Sequence, residues 1–440
     1  MLLNNLEIDE KKCIGCGLCT NACPSMLLYI GEDKKSHCKD FDQLNWNGCW
    51  RCQHCLQICP KGAISVFGKS PDSSLPMWPD DLGNYLEKLI QGRRECKDFR
   101  AERIDSKLED KIFTSLANAP TGSNKMKVEY TVLDGNPFDI DVPHIFITHA
   151  PANDPTSGSP IVEGEDMVDV SITTEYFNII ANAHGLGTVK LDFPGNTSEE
   201  KSEAFRKVGI PENHVVLSMV GFGYPAKAEV SDFDVPKEMG DYVDSLIAGR
   251  NSCRHYKQEN VDKKLLEGVL ETVKASIDSE YREQVEFTVY DDIEKMNALR
   301  NELRKGYFQL TAQGIYPYSW NAERIKIMES REDLAMNGDM FFCSAPHMVI
   351  VHIPKSIETA PVITSKALAE IELLSYAHGL GAIYLGYAFN VMKKLPEVKA
   401  SLGIPEDHFW INAVGFGYPL FKYSRGRQKE DFVKIHKMSF

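Results

Sequence analysis

Eight of the chain's twelve cysteines fall in two runs of one spacing. Cys13, Cys16, Cys19 and Cys23 are followed by Pro24, and Cys49, Cys52, Cys55 and Cys59 by Pro60. Thiolates are soft ligands, and this spacing, repeated, is one that holds iron–sulfur clusters. Zinc fits less well, because two successive four-cysteine runs each ending in Cys-Pro make a poor zinc pattern. Disulfides are a weaker reading still for a cytosolic chain. Gly15 and Gly17 let the backbone wrap tightly and aim amide donors at a cluster, where hydrogen bonds help set the potential. The scattered Cys38, Cys96, Cys253 and Cys343 read as small buried hydrophobes without chemistry.

The two runs resemble those of bacterial two-cluster ferredoxins, in which three closely spaced thiolates take one cluster and the fourth crosses to the other. The resemblance implies that Cys13, Cys16, Cys19 and Cys59 hold one 4Fe-4S cluster. Cys49, Cys52, Cys55 and Cys23 would hold the second. A ferredoxin-like domain over residues 1–68 is expected, and with it electron transfer.

The elements that must position this chemistry need the rest of the chain. At 440 residues it is too long for one ordinary core, and three domains are expected. No stretch approaches the roughly 18 apolar residues of a membrane span, and residues 1–7 carry neither a basic nor an apolar leader, so a cytoplasmic location is expected. With 49 basic against 63 acidic residues the net charge is −14, which repels a phosphate backbone or an anionic membrane and argues against nucleic acid as a partner.

Residues 68–79 read as a linker, rich in proline and serine. Beyond it the chain repeats itself. The segment 82–93, with apolar residues on one helical face and a glycine near its end, returns as 239–250 at an offset of 157. Gly209-Ile210-Pro211-Glu212-Asn213-His214 and Gly221-Phe222-Gly223-Tyr224-Pro225 return as Gly403-Ile404-Pro405-Glu406-Asp407-His408 and Gly415-Phe416-Gly417-Tyr418-Pro419 at an offset of 194. Ala-His-Gly-Leu-Gly shares the larger offset, at 183–187 and 377–381. The order of blocks points to a duplicated domain, with copies at 80–238 and 239–440. The second carries extra residues that include a helical stretch over 295–313, expected to form a lid or a pocket wall; Tyr316, Tyr318 and Trp320 could line it or pack in a core.

Each copy opens with a basic heptad, Arg93 to Phe99 and Arg250 to Tyr256. The first copy continues with Pro120-Thr121-Gly122-Ser123-Asn124, then a Gly-Leu-Gly turn and a Gly-Tyr-Pro strand end. In that order these motifs resemble the nitroreductase family of FMN enzymes over residues 80–440. The resemblance implies a flavin site built from the heptad and C-terminal basic residues of one domain and the Pro-x-Gly-x-Asn loop of the other. Arg250, Ser252 and Arg254, with Arg425 and Arg427, would clamp the phosphate, since guanidinium forks suit a phosphate dianion. Pro120, Thr121, Gly122 and Asn124 would lie beside the flavin and Gly379 and Gly381 near its reactive edge. Taken alone, a basic heptad could equally be a solvated helix C-cap, and Gly-Leu-Gly a plain turn. The opposite site has Glu95 in place of serine, Ile277 to Tyr281 in place of the loop, and only Lys227 after its Gly-Tyr-Pro. One FMN per chain is therefore expected, with the first site vestigial or reused.

The fold class expected is α+β: a bacterial-ferredoxin-like domain followed by two nitroreductase-like α+β sandwich domains forming an intrachain pseudo-dimer, with Val142 to Thr148 and Met348 to Ile353 as matching buried strands. The resemblance implies an oxidoreductase that takes electrons from a low-potential donor such as a ferredoxin, under anaerobic conditions. It would pass them through two clusters to FMN and on to a small electron-poor acceptor: a nitro compound, quinone or activated alkene. No side-chain acid or base is nominated as catalytic. A flavin-binding electron-transfer or regulatory subunit without turnover, and a cluster-carrying scaffold with dead flavin sites, stand beside it.

Overall fold

The computed structural model describes residues 5–44, 48–122, 128–135, 137–152, 165–226, 235–316, 339–428 and 433–440. The chain forms two compact units: Met1–Gly83 with Gly249–Arg427, and Asn84–Ala248 with Gln428–Phe440.

In the first unit the cysteine runs sit in a small α+β module. Leu6–Ile8 pairs antiparallel with Ile64–Val66, and Leu28–Ile30 with Ser36–Cys38. Each run feeds a five-residue helix, Leu18–Ala22 or His54–Ile58. The turns that wrap the runs need left-handed backbone. In the first run glycine supplies it at Gly15 (φ 67°) and Gly17 (φ 74°), but in the second the same places hold Arg51 (φ 53°) and Gln53 (φ 58°). A side chain at Gly15 would run into the Lys34 carbonyl, whereas Arg51 lies over the Phe67 ring, 4.8 Å from its centroid.

The rest of this unit is a five-stranded antiparallel sheet. Gly381–Tyr384, Ala413–Gly417, His347–Pro354 and His408–Phe409 lie in that order, and Glu286–Tyr290 also pairs with His347–Pro354. The helix Ala360–Ala377 packs on the sheet and is buried over most of its length. The helix Ile293–Ala312 starts on Asp292, whose carboxylate accepts from the Lys295 amide at 3.0 Å. It matches the helical stretch expected over 295–313. Its apolar face, Met296, Leu299, Leu303 and Tyr307, is buried in the core, with Tyr307 against Phe341 and Tyr387. Tyr316 is partly buried; Tyr318 and Trp320 lie outside the described residues.

His347 opens the central strand, and its Nε2 accepts the Val261 amide at 3.1 Å. Burial holds its pKa below the usual imidazole range. The folded state thus binds its proton less readily than the unfolded chain, so stability is lost as pH falls below the ordinary histidine value of about 6.5. Denaturant midpoints at pH 7 and pH 5 should differ more in the wild type than in His347→Gln.

The second unit is built alike. Glu129–Asp134, His144–Pro151, His214–Gly223 and Gly187–Lys190 form an antiparallel sheet, covered by helices Ser106–Leu116 and Glu165–Ala183. Asp105 caps the first helix through the Lys107 and Leu108 amides. Phe113, Phe146, Phe177 and Phe222 form one aromatic cluster, with Phe146 stacked on Phe177 at 4.1 Å. The strands expected at 142–148 and 348–353 run over His144–Pro151 and His347–Pro354 and are almost wholly buried.

The boundaries differ from expectation. Residues 80–83, assigned from the sequence to the first copy, belong to the first unit, and residues 239–248 and 428–440, assigned to the second copy, belong to the second unit, where Ile435–Ser439 adds parallel to Glu129–Asp134. That strand would otherwise leave an unpaired edge. Among the described residues no helix is long and apolar enough to cross a membrane.

Candidate functional site

The eight cysteines gather as two groups. Cys13, Cys16, Cys19 and Cys59 line one cavity, as the crossed ligand pattern requires. The other group forms around Cys55, whose thiol burial pushes well above its usual range, with Cys52, Cys23 and Cys49 pushing it further. Backbone amides aim at the sulfurs: Ser36 N at Cys13 Sγ and Leu27 N at Cys23 Sγ, both 3.4 Å, and Ala63 N at Cys59 Sγ, 3.3 Å. Arg51 N approaches Cys49 Sγ at 3.4 Å, so the strained left-handed turn serves to deliver a donor. A set of four thiolates with inward amides fits a 4Fe-4S cluster at each group. Cys38 lies beside Cys23 and Cys49, and burial pushes its thiol up to about 11, which keeps it neutral.

The second heptad lies against this module. His255 Nε2 meets the Asn21 carbonyl at 2.8 Å, and Gln57 Nε2 donates to the Gly249 carbonyl at 3.4 Å. Arg254 stands over the Trp50 ring, 5.9 Å from its centroid, and donates to the Ser252 carbonyl at 3.1 Å. Arg250 is buried and donates to Glu372 Oε1 at 2.9 Å. Arg427 is buried as well. Desolvation first, then Arg254, Arg250 and Arg427, hold the His54 pKa well below the usual imidazole range. Burial raises the Cys52 thiol, and Arg254 and Arg427 oppose that by favouring its thiolate. A partly desolvated cluster of guanidiniums is chemically suited to an anion with several oxygens, such as a phosphate monoester.

Three expected site residues have other duties. Arg425 does not join Arg427 but donates to the Leu56 and Cys59 carbonyls at 3.1 and 2.7 Å, closing the end of the second cysteine helix. Gly379, at φ 77°, ends the helix Ala360–Ala377, its amide bonding to the Tyr376 carbonyl while that of Leu380 bonds to Ser375. Gly381 makes room for Cys253, whose Sγ and Cβ would lie 2.6 and 2.7 Å from an added Cβ. Gly187 makes the same room for Cys96. Gly381→Ala should therefore cost about 1–3 kcal/mol by overpacking, read as a lower denaturation midpoint.

In the second unit, the Gly122 amide donates to both Asp169 carboxylate oxygens at 3.0 and 2.9 Å, and Pro120 and Thr121 are partly buried. Ser123 and Asn124 lie outside the described residues, as does Lys227. Arg93 pairs with buried Glu175 at 3.7 Å, and Glu95 bridges to Thr188 through its backbone.

Sequence reading missed Glu372, His54, Trp50 and Tyr423. Glu372 left a signal, being with Glu370 one of two carboxylates inside a largely apolar helix. Tyr423, edge-on to His54 at 6.1 Å, left none, since only the fold joins them.

Comparison with known proteins agrees with this division. Residues 12–63 match the 4Fe-4S dicluster domain, and residues 247–418 match the nitroreductase family. A ferredoxin of Methanothermococcus thermolithotrophicus is 38% identical over 64 residues, 14% of this chain and 97% of that protein. An uncharacterised protein of Porphyra purpurea is 44% identical over 58 residues, 13% of this chain and 77% of that protein. This chain spans less than two thirds of the length of several other curated relatives. A solved nitroreductase with bound FMN from Desulfitobacterium hafniense aligns over 43% of this chain and 94% of its own, at 21% identity and a TM-score of 0.33.

Proposed function

Because this chain joins a 4Fe-4S dicluster ferredoxin domain to a nitroreductase-family domain, we propose that it is an iron–sulfur flavoprotein oxidoreductase with two clusters and one FMN per chain. Bound clusters would supply single electrons and bound FMN would gather two for delivery to an organic acceptor. The chain's own residues divide the work. Cys13, Cys16, Cys19 and Cys59 hold one cluster; Cys49, Cys52, Cys55 and Cys23 hold the other. Arg254 and Arg427, with Arg250 fixed by Glu372, bind the flavin phosphate, and Ser252 adds a hydroxyl.

The observation that carries this reading is that Arg254 stands over the ring of Trp50, a residue of the second cysteine run, which sets a guanidinium next to that run. The duplication we infer from the sequence adds to it: the heptads of both units join their sheets through one kind of bond, Cys96 N to Thr188 O and Cys253 N to Ala382 O. A nitro compound, quinone or activated alkene is the acceptor class, and a ferredoxin-like donor the electron source.

Iron and flavin should be counted on anaerobically purified protein. About eight iron atoms with one FMN per chain is the expected result. Two FMN would make the Arg93 heptad a working site as well. None after incubation with FMN would sink the flavoprotein reading and leave a cluster-bearing scaffold.

A further inference from the structure

Away from the cysteines, each unit holds a small cluster of imidazoles and a carboxylate for which electron transfer has no use. In the second unit His149 Nδ1 and His214 Nδ1 face each other at 2.8 Å, and the Thr131 hydroxyl meets His149 Nε2 at 2.9 Å. In the first, His352 Nδ1 faces His408 Nδ1 at 2.9 Å, and the Thr288 hydroxyl meets His352 Nε2 at 3.0 Å. A carboxylate completes each cluster. The ligand atoms of Glu129, His149 and His214, and those of Glu286, His352 and His408, lie within 4.8 Å of one another.

The members come from three separate stretches of chain, and all recur. Glu129-Tyr130-Thr131 and Glu286-Phe287-Thr288 lie at the 157-residue offset of the repeated helix, and His214 and His408 at the 194-residue offset of the later blocks. The heptads and the loops at 120–124 and 277–281 differ between the copies over the same span. The quartet has kept its chemistry where those have not.

We propose that each quartet is a binding site for a zinc-class divalent cation, with two imidazole Nδ1 atoms and one carboxylate oxygen as ligands. The threonine fixes the ligand atom. When its oxygen accepts from Nε2–H, the Nδ1 lone pair of His149 or His352 must point into the cluster, which is the outer hydrogen bond that metal-bound histidines use. Two nitrogens held tetrahedrally at 2.0–2.1 Å from zinc stand about 3.3 Å apart, so the rings need to part by only about half an ångström. Two histidines and a glutamate form a three-ligand set that leaves a coordination position to water. The sites differ in one respect. Glu129 is also held by Lys434 Nζ at 2.5 Å and His436 Nε2 at 3.1 Å, whereas Glu286 is exposed. The lysine competes with a cation, so the first unit's site is the tighter of the two.

The test uses the full chain with its clusters intact. Protein equilibrated with excess zinc chloride and desalted is assayed for zinc and iron, as wild type and as His214→Asn and His408→Asn, both at partly buried positions. Iron serves as the control that cysteines have not taken zinc, and circular dichroism as the control for folding. Each site is supported if its variant loses one zinc equivalent with iron unchanged. A site is overturned if its variant keeps the wild-type zinc content, and both are overturned if the wild type retains none. Should a variant fail to fold, Glu286→Gln or Glu129→Gln replaces it, and a zinc-dependent rise in the wild-type melting temperature that the variant lacks is the second reading.

Discussion

Cys52→Ala is expected to lower iron from about eight to about four atoms per chain, and to abolish reduction of the bound flavin by a low-potential donor while leaving flavin content unchanged. Arg254 and Arg427 favour the thiolate of Cys52, and loss of its cluster would interrupt supply to the proposed flavin site without removing the phosphate-binding side chains. Iron analysis, flavin fluorescence after denaturation and anaerobic stopped-flow absorbance check the three parts separately. If Cys52→Ala were reduced by the donor at the wild-type rate, the second cysteine group would not be the one that serves the flavin. Cys16→Ala, in the other group and at an exposed position, provides the comparison for iron loss alone.

Arg250→Met is expected to cost stability rather than cofactor affinity alone. Arg250 and Glu372 are 4% and 0% exposed at their side chains and 2.9 Å apart. Removing the cation takes the counter-charge from a buried carboxylate, a change that costs about 3–5 kcal/mol. The double variant Arg250→Met, Glu372→Leu removes both charges and should recover most of that loss, since replacing both halves of a buried pair by apolar groups is often near neutral. Urea denaturation of the two single variants and the double variant measures the coupling. Arg254→Ala should behave in the opposite way. It leaves no buried carboxylate behind, so stability changes little. The loss of a charge-assisted hydrogen bond, worth about 1.5–3 kcal/mol, should weaken FMN binding roughly 10- to 100-fold.

The cysteine groups were legible because their signal is local. Spacing brings the first three thiolates of each run together around a short helix, while the crossing of Cys59 to Cys13, Cys16 and Cys19, which line one cavity with it, was implied by the ferredoxin resemblance. Periodicity likewise revealed the strand at 348–353 and the helix at 295–313, whose apolar faces are buried. The roles of Arg425, Gly379 and Gly381 were not legible, because each depends on a neighbour remote in sequence. An arginine two residues from Arg427 looks like a second phosphate ligand until the carbonyls of Leu56 and Cys59 are seen beside it. A Gly-Leu-Gly turn looks like a flavin contact until Cys253 fills the space above it. The left-handed Arg51 and Gln53 were hidden for the converse reason: sequence predicts such backbone from glycine, and here neither residue is glycine.

The chain crosses between its units after Gly83, after Ala248 and after Arg427, and this order governs how the protein can be made. The cysteine module precedes the other described elements along the chain, yet the guanidinium that closes its second helix belongs to Arg425, 366 residues after Cys59. The sheet of the second unit is likewise finished only by Ile435–Ser439. At about 5–20 residues per second, the thiolates wait tens of seconds for their tail, exposed to oxidants and stray metals. Truncation before Arg425 would therefore injure both units at once, since it removes that guanidinium together with Ile435–Ser439, and a nascent chain of this kind gains most from a cell that keeps its thiols reduced until Arg425 has been made.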